Sequence, residues 1–412
     1  MKIITLDPKQ FDEYTKNHRY RNYYQTSTYG NLMIKFGYNV HYIGIVNENN
    51  TLIGASLILY KEVFMGNKIA YAPRGILFDY ENKEQLSILG EKLKQLLGKQ
   101  GFILLRMDPY IISTIRDSEG NIINFNNETD NIQKNLEDAG FNYKGKSLFF
   151  ENEKPRWESL VLLNKDINTL YKNLPKRTRH KIKKATISGI EISKEENKDI
   201  NTIYNYIKNK SKRPLKYYEE FIKSYESEIY VAKLNTETFV INSRKLYENE
   251  MNKNDILAKK IQNTEGKISA KKRILNAKME SDKLLHTYKS NLVLATKLLK
   301  ENPNGLVIGG AITITYDNAT YLIIEGFNKK YSFINPNYLL KWQIITEAKE
   351  KNHKYVNINA IVGEFEKENP YRGLNEMKLG YNSMITEYIG EFDIILNNFS
   401  YGIYKNFSKN KK

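Results

Sequence analysis

A chain of 412 residues is longer than one hydrophobic core usually serves, so two or three domains are expected. Cysteine is absent, which excludes disulfides and thiolate catalysis, and the five histidines (His18, His41, His180, His286, His353) are scattered without ligand spacing, so neither a metal nor a cofactor is expected. A formal net charge of +17 favours a polyanionic partner, whether nucleic acid, an anionic membrane surface or a phosphorylated substrate, against the plain alternative of a lysine-rich proteome.

The start, "MKIITLDPKQFDEY", lacks the apolar stretch of a signal peptide, and no run is long enough to span a bilayer; a cytosolic chain is expected. "YIGIVNENNTLIGASLILYKEVFMGNKIAYAPRG" alternates apolar residues through three short runs divided by Asn-rich and Gly-Asn turns, which predicts an antiparallel meander. Leu86, Leu89, Leu93, Leu96 and Leu97 then recur at helical spacing until Gly98 and Gly101 stop the pattern, and "FILLRMDP" follows as an apolar strand. In "LLRMDPY", Arg106 and Asp108 lie two apart and share a face where the strand ends. They read as a buried ion pair or, for Asp108, as a carboxylate at the mouth of a cleft that handles a proton.

"GFNYKGKS", residues 140–147, matches the phosphate-loop pattern G-x-x-x-x-G-K-S in letters only. Such a loop leaves a strand and opens a helix, whereas "IQKNLEDAG" reads as a helix before it and "SLFFEN" as a strand after it. No G-x-S-x-G elbow supports triad hydrolysis. "KNLPKRTRHKIKKATISG" starts a helix after Pro175 and puts Arg177, Lys181 and Lys184 on one face, suited to phosphate or simply solvated. In "RPLKYYEEF", Arg213 and Tyr217 stand one helical turn apart, where a guanidinium fork and a phenol either clamp a pyrophosphate or form a surface pair.

The order meander, helix, strand then repeats: "IYVAKLN" and "GLVIGGAITITYDNATYLIIEG" as strands, "NYLLKWQIITEAKEK" as a helix and "YVNINAIVG" as a strand. Residues 236 to about 303 interrupt this second copy at the turn where the first has only "NENN". Within the insertion Leu257, Ile261, Thr264 and Ile268, then Ser281, Leu285, Tyr288, Leu292, Ala295 and Leu299, recur at alternating four and three spacing. Two helices with a turn near Gly266 to Lys271 are expected, forming an antiparallel hairpin that projects as an arm because its ends must rejoin one sheet. Further on, "MKLGYNSMITEYIGEFD" (377–393) reads as strand, turn and strand, with Lys378 between Met377 and Leu379. That lysine is either a surface cation on a packed stem or a charge aimed into a site.

Together these segments resemble the FemABX family, the non-ribosomal aminoacyltransferases that build the interpeptide bridges of bacterial peptidoglycan. The resemblance runs nearly the length of the chain and rests on seven stretches in family order: "QTSTYGNLMIKFGY", "LLRMDPY", "KPRWESLVLL", "LPKRTRHKIKKATISG", "RPLKYYEEF", "YLIIEGFNKKYSFINPNYLLKWQII" and "GLNEMKLGYNSMITEYIGEFD". It implies an α/β (α+β) fold of two GNAT-like lobes with an inserted antiparallel helical hairpin. The first lobe would span 1–150, with residues 396–412 returning to it, the second 151–239 and 304–395, and the arm 240–303.

The implied donor is an aminoacyl-tRNA. The implied acceptor is an amine on the stem or bridge peptide of a lipid-linked or UDP-linked muropeptide, met at the inner membrane face. By motif, Lys35, Arg213 and Tyr217 would hold the acceptor's phosphates and sugar, Lys378 matches the family lysine near the reacting ester, and Asp108 matches an acidic position. Arg177, Arg179, Lys181 and Lys184 would contact phosphate or tRNA. Met377 stands where the family often has an aromatic residue. An amine attacking an activated ester needs no metal and no covalent intermediate, which suits this composition. Two other readings are an acyl-CoA-dependent N-acyltransferase, against which the missing R/Q-x-x-G-x-G/A loop counts, and a non-catalytic RNA-binding protein.

Overall fold

In the computed structural model, which describes residues 1–211, 213–263, 268–366 and 368–409, the chain builds two sheets of seven and nine strands. The first half runs β1 (Lys2–Thr5), α1 (Pro8–Thr15), α2 (Ser27–Ile34), the meander β2 (Asn39–Val46), β3 (Leu52–Phe64) and β4 (Asn67–Ala72), then α3 (Lys83–Lys99) and β5 (Phe102–Met107). A hairpin, β6 (Ile112–Arg116) and β7 (Ile122–Phe125), leads to α4 (Thr129–Asp138) and β8 (Phe141–Tyr143). The second half opens with β9 (Trp157–Leu162), α5 (Ile167–Asn173), α6 (Lys176–Ile187), β10 (Ile190–Lys194), α7 (Asn201–Ile207), α8 (Leu215–Ser224) and β11 (Ser227–Leu234). Two long helices, α9 (Thr236–Asn263) and α10 (Ile268–Glu301), precede β12 (Leu306–Tyr316), β13 (Ala319–Phe327), α11 (Pro336–Glu350) and β14 (Tyr355–Ala360). Then come α12 (Arg372–Leu379), β15 (Met384–Tyr388), β16 (Phe392–Ile395) and α13 (Asn398–Lys409).

Both halves use one device. An antiparallel meander is followed by a helix that crosses over to a parallel neighbour, α3 linking β4 to β5 and α11 linking β13 to β14. In α3 the leucines at helical spacing (Leu86, Leu89, Leu93, Leu97) are buried, and the Asn82 side chain accepts the Gln85 N–H at its start. Helix α7 lies close on the second sheet because Gly310 and Gly326 bear no Cβ: one built there would meet Ile203 at 2.4 Å and the Tyr206 carbonyl at 2.1 Å. The two-lobed α/β architecture with an inserted helical hairpin is the one expected.

The halves are interlocked rather than merely adjacent. The seven-stranded sheet runs β1-β2-β3-β4-β5-β16-β8, so a strand from the far end of the chain sits beside β5. The nine-stranded sheet runs β10-β11-β12-β13-β14-β9-β15-β6-β7, so the β6–β7 hairpin of the first half completes the second sheet. One buried cluster also spans both lobes: Phe11, Tyr29 and Leu32 of α1 and α2 pack with Ile203, Tyr217 and Phe221 of α7 and α8. Neither lobe keeps its apolar area covered without the other.

Three local expectations are corrected. Residues 377–379, read as the start of a strand, instead end the helix α12; its buried positions are Asn375 and Lys378, so no apolar periodicity marks it. "SLFFEN" is irregular, and the strand β8 falls inside the glycine-lysine motif instead. The phosphate-loop order is still absent, because no helix begins until Ile167. In the arm, residues 268–271 already belong to α10, while Gly266, Lys267 and Thr264 lie outside the described residues.

The arm is rooted in the second lobe. Phe239, Val240, Ala295 and Leu298 join that lobe's core, and farther out the hairpin is pinned by polar groups, with Asn254 donating to Ser281 Oγ (3.0 Å) and Asp282 Oδ1 (2.8 Å). Replacing the distal residues 256–279 by a Gly-Ser linker is therefore expected to leave the thermal midpoint of the lobes unchanged. Replacing 240–302 also removes the buried Val240 and Leu298, and denaturant titration should then show a loss of roughly 3–6 kcal/mol, at 1.5–3 kcal/mol per aliphatic side chain.

Candidate functional site

The parallel pair β13·β14 holds register only at Thr320↔Val356 and Tyr321↔Asn357, and then the strands part. Asn359, in the left-handed region at φ 72°, keeps them apart: its side-chain amide donates to the carbonyls of Leu322 and Ile323, at 3.1 and 3.0 Å. The gap opens into a cleft of about 380 Å³ whose lining includes Tyr24, Lys154, Lys210, Arg213, Tyr217, Glu325, Ala360 and Lys378. Both lobes contribute to it.

Lys378 lies in the last turn of α12, only 6 % exposed, and its ammonium donates to the Ala360 carbonyl at 2.6 Å. Burial drives its pKa from the usual 10.5 down to about 7, with Glu325 pulling it up and Lys341 pushing it down. Glu325 is itself in an ion pair with Lys341 of α11, a lysine with no exposed surface. Burial opposes the Glu325 charge, and the Lys341 ammonium more than offsets this, so the carboxylate stays ionised. The cleft floor is thus a set of charges fixed on strand and helix ends, not on loops.

Arg213 and Tyr217 come together as their spacing requires, the guanidinium 4.6 Å from the centre of the Tyr217 ring, and both face the cleft. Lys154 lies 4.0 Å over the Tyr24 ring on the opposite lobe. Among the described residues Lys154, Lys210, Arg213 and Lys378 form no ion pair with a carboxylate. Four cations around one cleft make it a receptor for an anion. Lys35 stands apart: it is half exposed, pairs with Glu220 of α8 at 2.6 Å, and reaches the cleft wall only through its neighbour Phe36, whose ring is 5.2 Å from that of Tyr217.

Asp108 does not line the cleft. It is buried behind it, accepting from the Arg74 backbone N–H (2.7 Å) and the Tyr71 hydroxyl (2.9 Å), with the Arg74 guanidinium at 3.5 Å. Burial raises its pKa, and Arg74 pulls the other way. Arg74 also reaches Glu158 of the second lobe at 3.1 Å, so one guanidinium bridges the lobes. Arg106 pairs with Asp393 at 2.8 Å rather than with Asp108.

The basic helix α6 does not converge on the cleft. Arg177 is ion-paired with Glu376 at 3.0 Å, and Lys181 donates to the Tyr338 hydroxyl at 2.7 Å. Lys184 lines a separate groove of about 470 Å³ between α6 and the foot of the arm. Arg179 is half-buried, and its Nε has no hydrogen-bond partner among the described residues.

Residues 6–409 match the FemAB family. The chain belongs to that family. Aminoacyltransferase FemA of Staphylococcus epidermidis is 27 % identical over the full length of both chains. Aminoacyltransferase FemA of Staphylococcus aureus is 25 % identical, over all of this chain and 99 % of the relative. The crystal structure of FemX superposes with a TM-score of 0.70 at 19 % identity, covering 98 % of this chain and 99 % of that one, and so shares the fold.

Within this FemAB chain, the sequence reading singled out Lys378, Arg213 and Tyr217, which meet in the cleft, but not Glu325, Lys341, Arg74, Glu158 or Asn359. The first two carried a legible signal, one charge inside each of the apolar runs "TYLIIEGF" and "NYLLKWQII". Asn359 had none, since its role comes from a backbone conformation.

The Lys378 ammonium also marks stability. The unfolded lysine keeps its proton up to about pH 10.4, the native one only to about 7, so between these values the unfolded state binds more protons and stability rises with pH. In Lys378→Met this rise, at most about 1.4 kcal/mol per pH unit, should vanish. Urea titrations of both proteins from pH 6.5 to 9.5 measure it; parallel pH curves for the two would contradict the buried charge.

Proposed function

We propose that the cleft between β13 and β14 is where this FemAB-family aminoacyltransferase joins an amino acid from aminoacyl-tRNA to an amine of a peptidoglycan precursor. The acceptor is a lipid-linked or UDP-linked muropeptide. Its diphosphate lies against Arg213, Lys210 and Lys154, with Tyr217 under the guanidinium and Lys35 at the rim. The uncharged amine attacks the ester carbonyl, a C–N bond forms, and negative charge gathers on the carbonyl oxygen. Collapse breaks the C–O bond to the ribose, and the proton lost by the amine ends on the ribose oxygen.

Lys378 is the group that meets the developing oxyanion. The observation that carries this reading is its buried ammonium at the floor of the same cleft as Arg213 and Tyr217. A side chain fixed by the Ala360 carbonyl, whose pKa burial lowers to about 7, can meet the developing oxyanion with its charge and give it a proton. A protein that merely bound RNA would gain nothing from burying that charge. Asp108 acts by holding Arg74, and Arg177, Arg179, Lys181 and Lys184 offer the tRNA backbone a second basic surface outside the cleft. No helix among the described residues is long and apolar enough to cross a membrane. The enzyme works in the bacterial cytoplasm and meets a lipid-linked acceptor at the inner face of the membrane.

Incubation with tRNA charged with radiolabelled amino acids and with muropeptide is expected to move label to the muropeptide in a ribonuclease-sensitive way. Ribonuclease-insensitive transfer from acyl-CoA would refute the donor. Arg213→Ala is expected to raise the acceptor KM by roughly tenfold or more, the scale of a charge-assisted hydrogen bond, and to leave tRNA affinity unchanged. An unchanged acceptor KM with weakened tRNA binding would move Arg213 to the donor side.

A further inference from the structure

Behind the cleft lies a second, more enclosed cavity of about 80 Å³, lined by residues including Asn22, Tyr110, Glu158, Tyr321 and Asn357. It shares Tyr23, Tyr24, Leu322, Ile323 and Asn359 with the cleft, so these five residues form a common wall between two neighbouring spaces. Their linings differ. The cleft has four cations and one carboxylate, Glu325, whereas the cavity is walled by tyrosines and asparagines around the ion pair of Arg74 with Glu158.

The cation lining that cavity, Arg74, is shared between two carboxylates, Glu158 at 3.1 Å and Asp108 at 3.5 Å, so Glu158 is incompletely neutralised. Its Oε2 accepts from Asn357 (2.7 Å) and from the Tyr388 hydroxyl (3.0 Å), and its Oε1 from Arg74 alone, which leaves Oε1 acceptor capacity on a residue that lines the cavity. The resulting negative field is felt by the neighbours: burial and then Glu158 raise the pKa of both Tyr110 and Tyr388, keeping their hydroxyls protonated. Glu158 also stands directly opposite Ala360 in the β14·β9 ladder, and Ala360 is the residue whose carbonyl holds Lys378.

We propose that the cavity is the subsite for the donor's amino acid, with Glu158 binding its α-ammonium among the tyrosines that line the space. This rests on the aminoacyl-transfer reading of the cleft. An ester whose carbonyl oxygen lies at Lys378 carries its α-nitrogen two bonds from the carbonyl carbon, and Glu158 is near enough to Lys378 for its charge to act on that ammonium. The volume is that of two or three waters at about 30 Å³ each, so the group admitted has few heavy atoms. The nucleophilic amine of the acceptor is a poor occupant, since a carboxylate would hold it protonated and unable to attack. For the donor the same effect is useful: an α-amine kept as ammonium cannot compete as a nucleophile.

The test compares binding of two tRNAs to the full chain by calorimetry. One bears an alanyl group through a non-hydrolysable 3′-amide and the other a lactyl group through the same link, with a hydroxyl in place of the ammonium. The unaltered protein is expected to prefer the alanyl form by roughly tenfold or more, the scale of a hydrogen bond to a charged group, and Glu158→Gln to lose that preference. Glu158→Asp keeps a charge for Arg74 while withdrawing it from the cavity; it is expected to weaken the preference and serves if the glutamine variant does not fold. Equal affinity of the unaltered protein for the two tRNAs, or a parental preference in a folded variant, overturns the inference alone. Absence of affinity for either tRNA overturns the aminoacyl-transfer reading as well.

Discussion

The Arg74 guanidinium is the interaction on which the site depends. It is 2 % exposed, it binds Asp108 of its own lobe and Glu158 of the other, and it stacks 4.3 Å from the Tyr388 ring. A buried cation with one partner removed costs about 3–5 kcal/mol, so the lobes cannot drift apart without leaving an unpaired charge in a dry interior. The cleft lies in front of this cluster and the enclosed cavity beside it. The alignment of the two spaces follows from one side chain having partners in both halves.

That ionic bridge works because the chain topology already limits movement. β16 lies between β5 and β8, the β6–β7 hairpin extends the other sheet, and α1, α2, α7 and α8 share one apolar cluster. Rigid placement matters for the proposed chemistry, since a donor ester and an acceptor amine must meet within a near-attack distance of about 3–3.5 Å. The arm adds a long basic surface without disturbing this arrangement. It enters at a turn of the repeat, and its foot packs on the second lobe's core.

Much of this architecture is legible from spacing, because it is encoded by local periodicity. The α3 leucines, the meander before them, the repeated order in the second half and the four-three pattern from Ser281 to Leu299 each follow from neighbouring residues facing one side of one element, whereas Ile268 of the pattern's upstream half is 87 % exposed. The parts that are not legible are of two kinds. Helix α12 buries Asn375 and Lys378, so it lacks the apolar stripe that identifies a helix. The exchange of β6–β7 and β16 between sheets, and the meeting of Arg74 with Glu158, are long-range events that nothing in either segment specifies.

The site residues divide in the same way. Arg213 and Tyr217 are one helical turn apart and their contact is forced by spacing, whereas Lys378 on spacing alone reads first as a surface cation, until the fold buries it. Glu325 and Lys341 are anomalies in apolar runs, and such charges are the ones a folded core must pair.

The most direct measurement of the central claim is the single-turnover rate of Lys378→Met with aminoacyl-tRNA and muropeptide both bound. Methionine keeps the length of the stem and removes the charge. If the ammonium stabilises the oxyanion, the rate should fall roughly a hundredfold or more while affinity for both substrates and the circular dichroism spectrum stay near those of the parent. A parental rate in a correctly folded variant would contradict the account and make this lysine a structural cation.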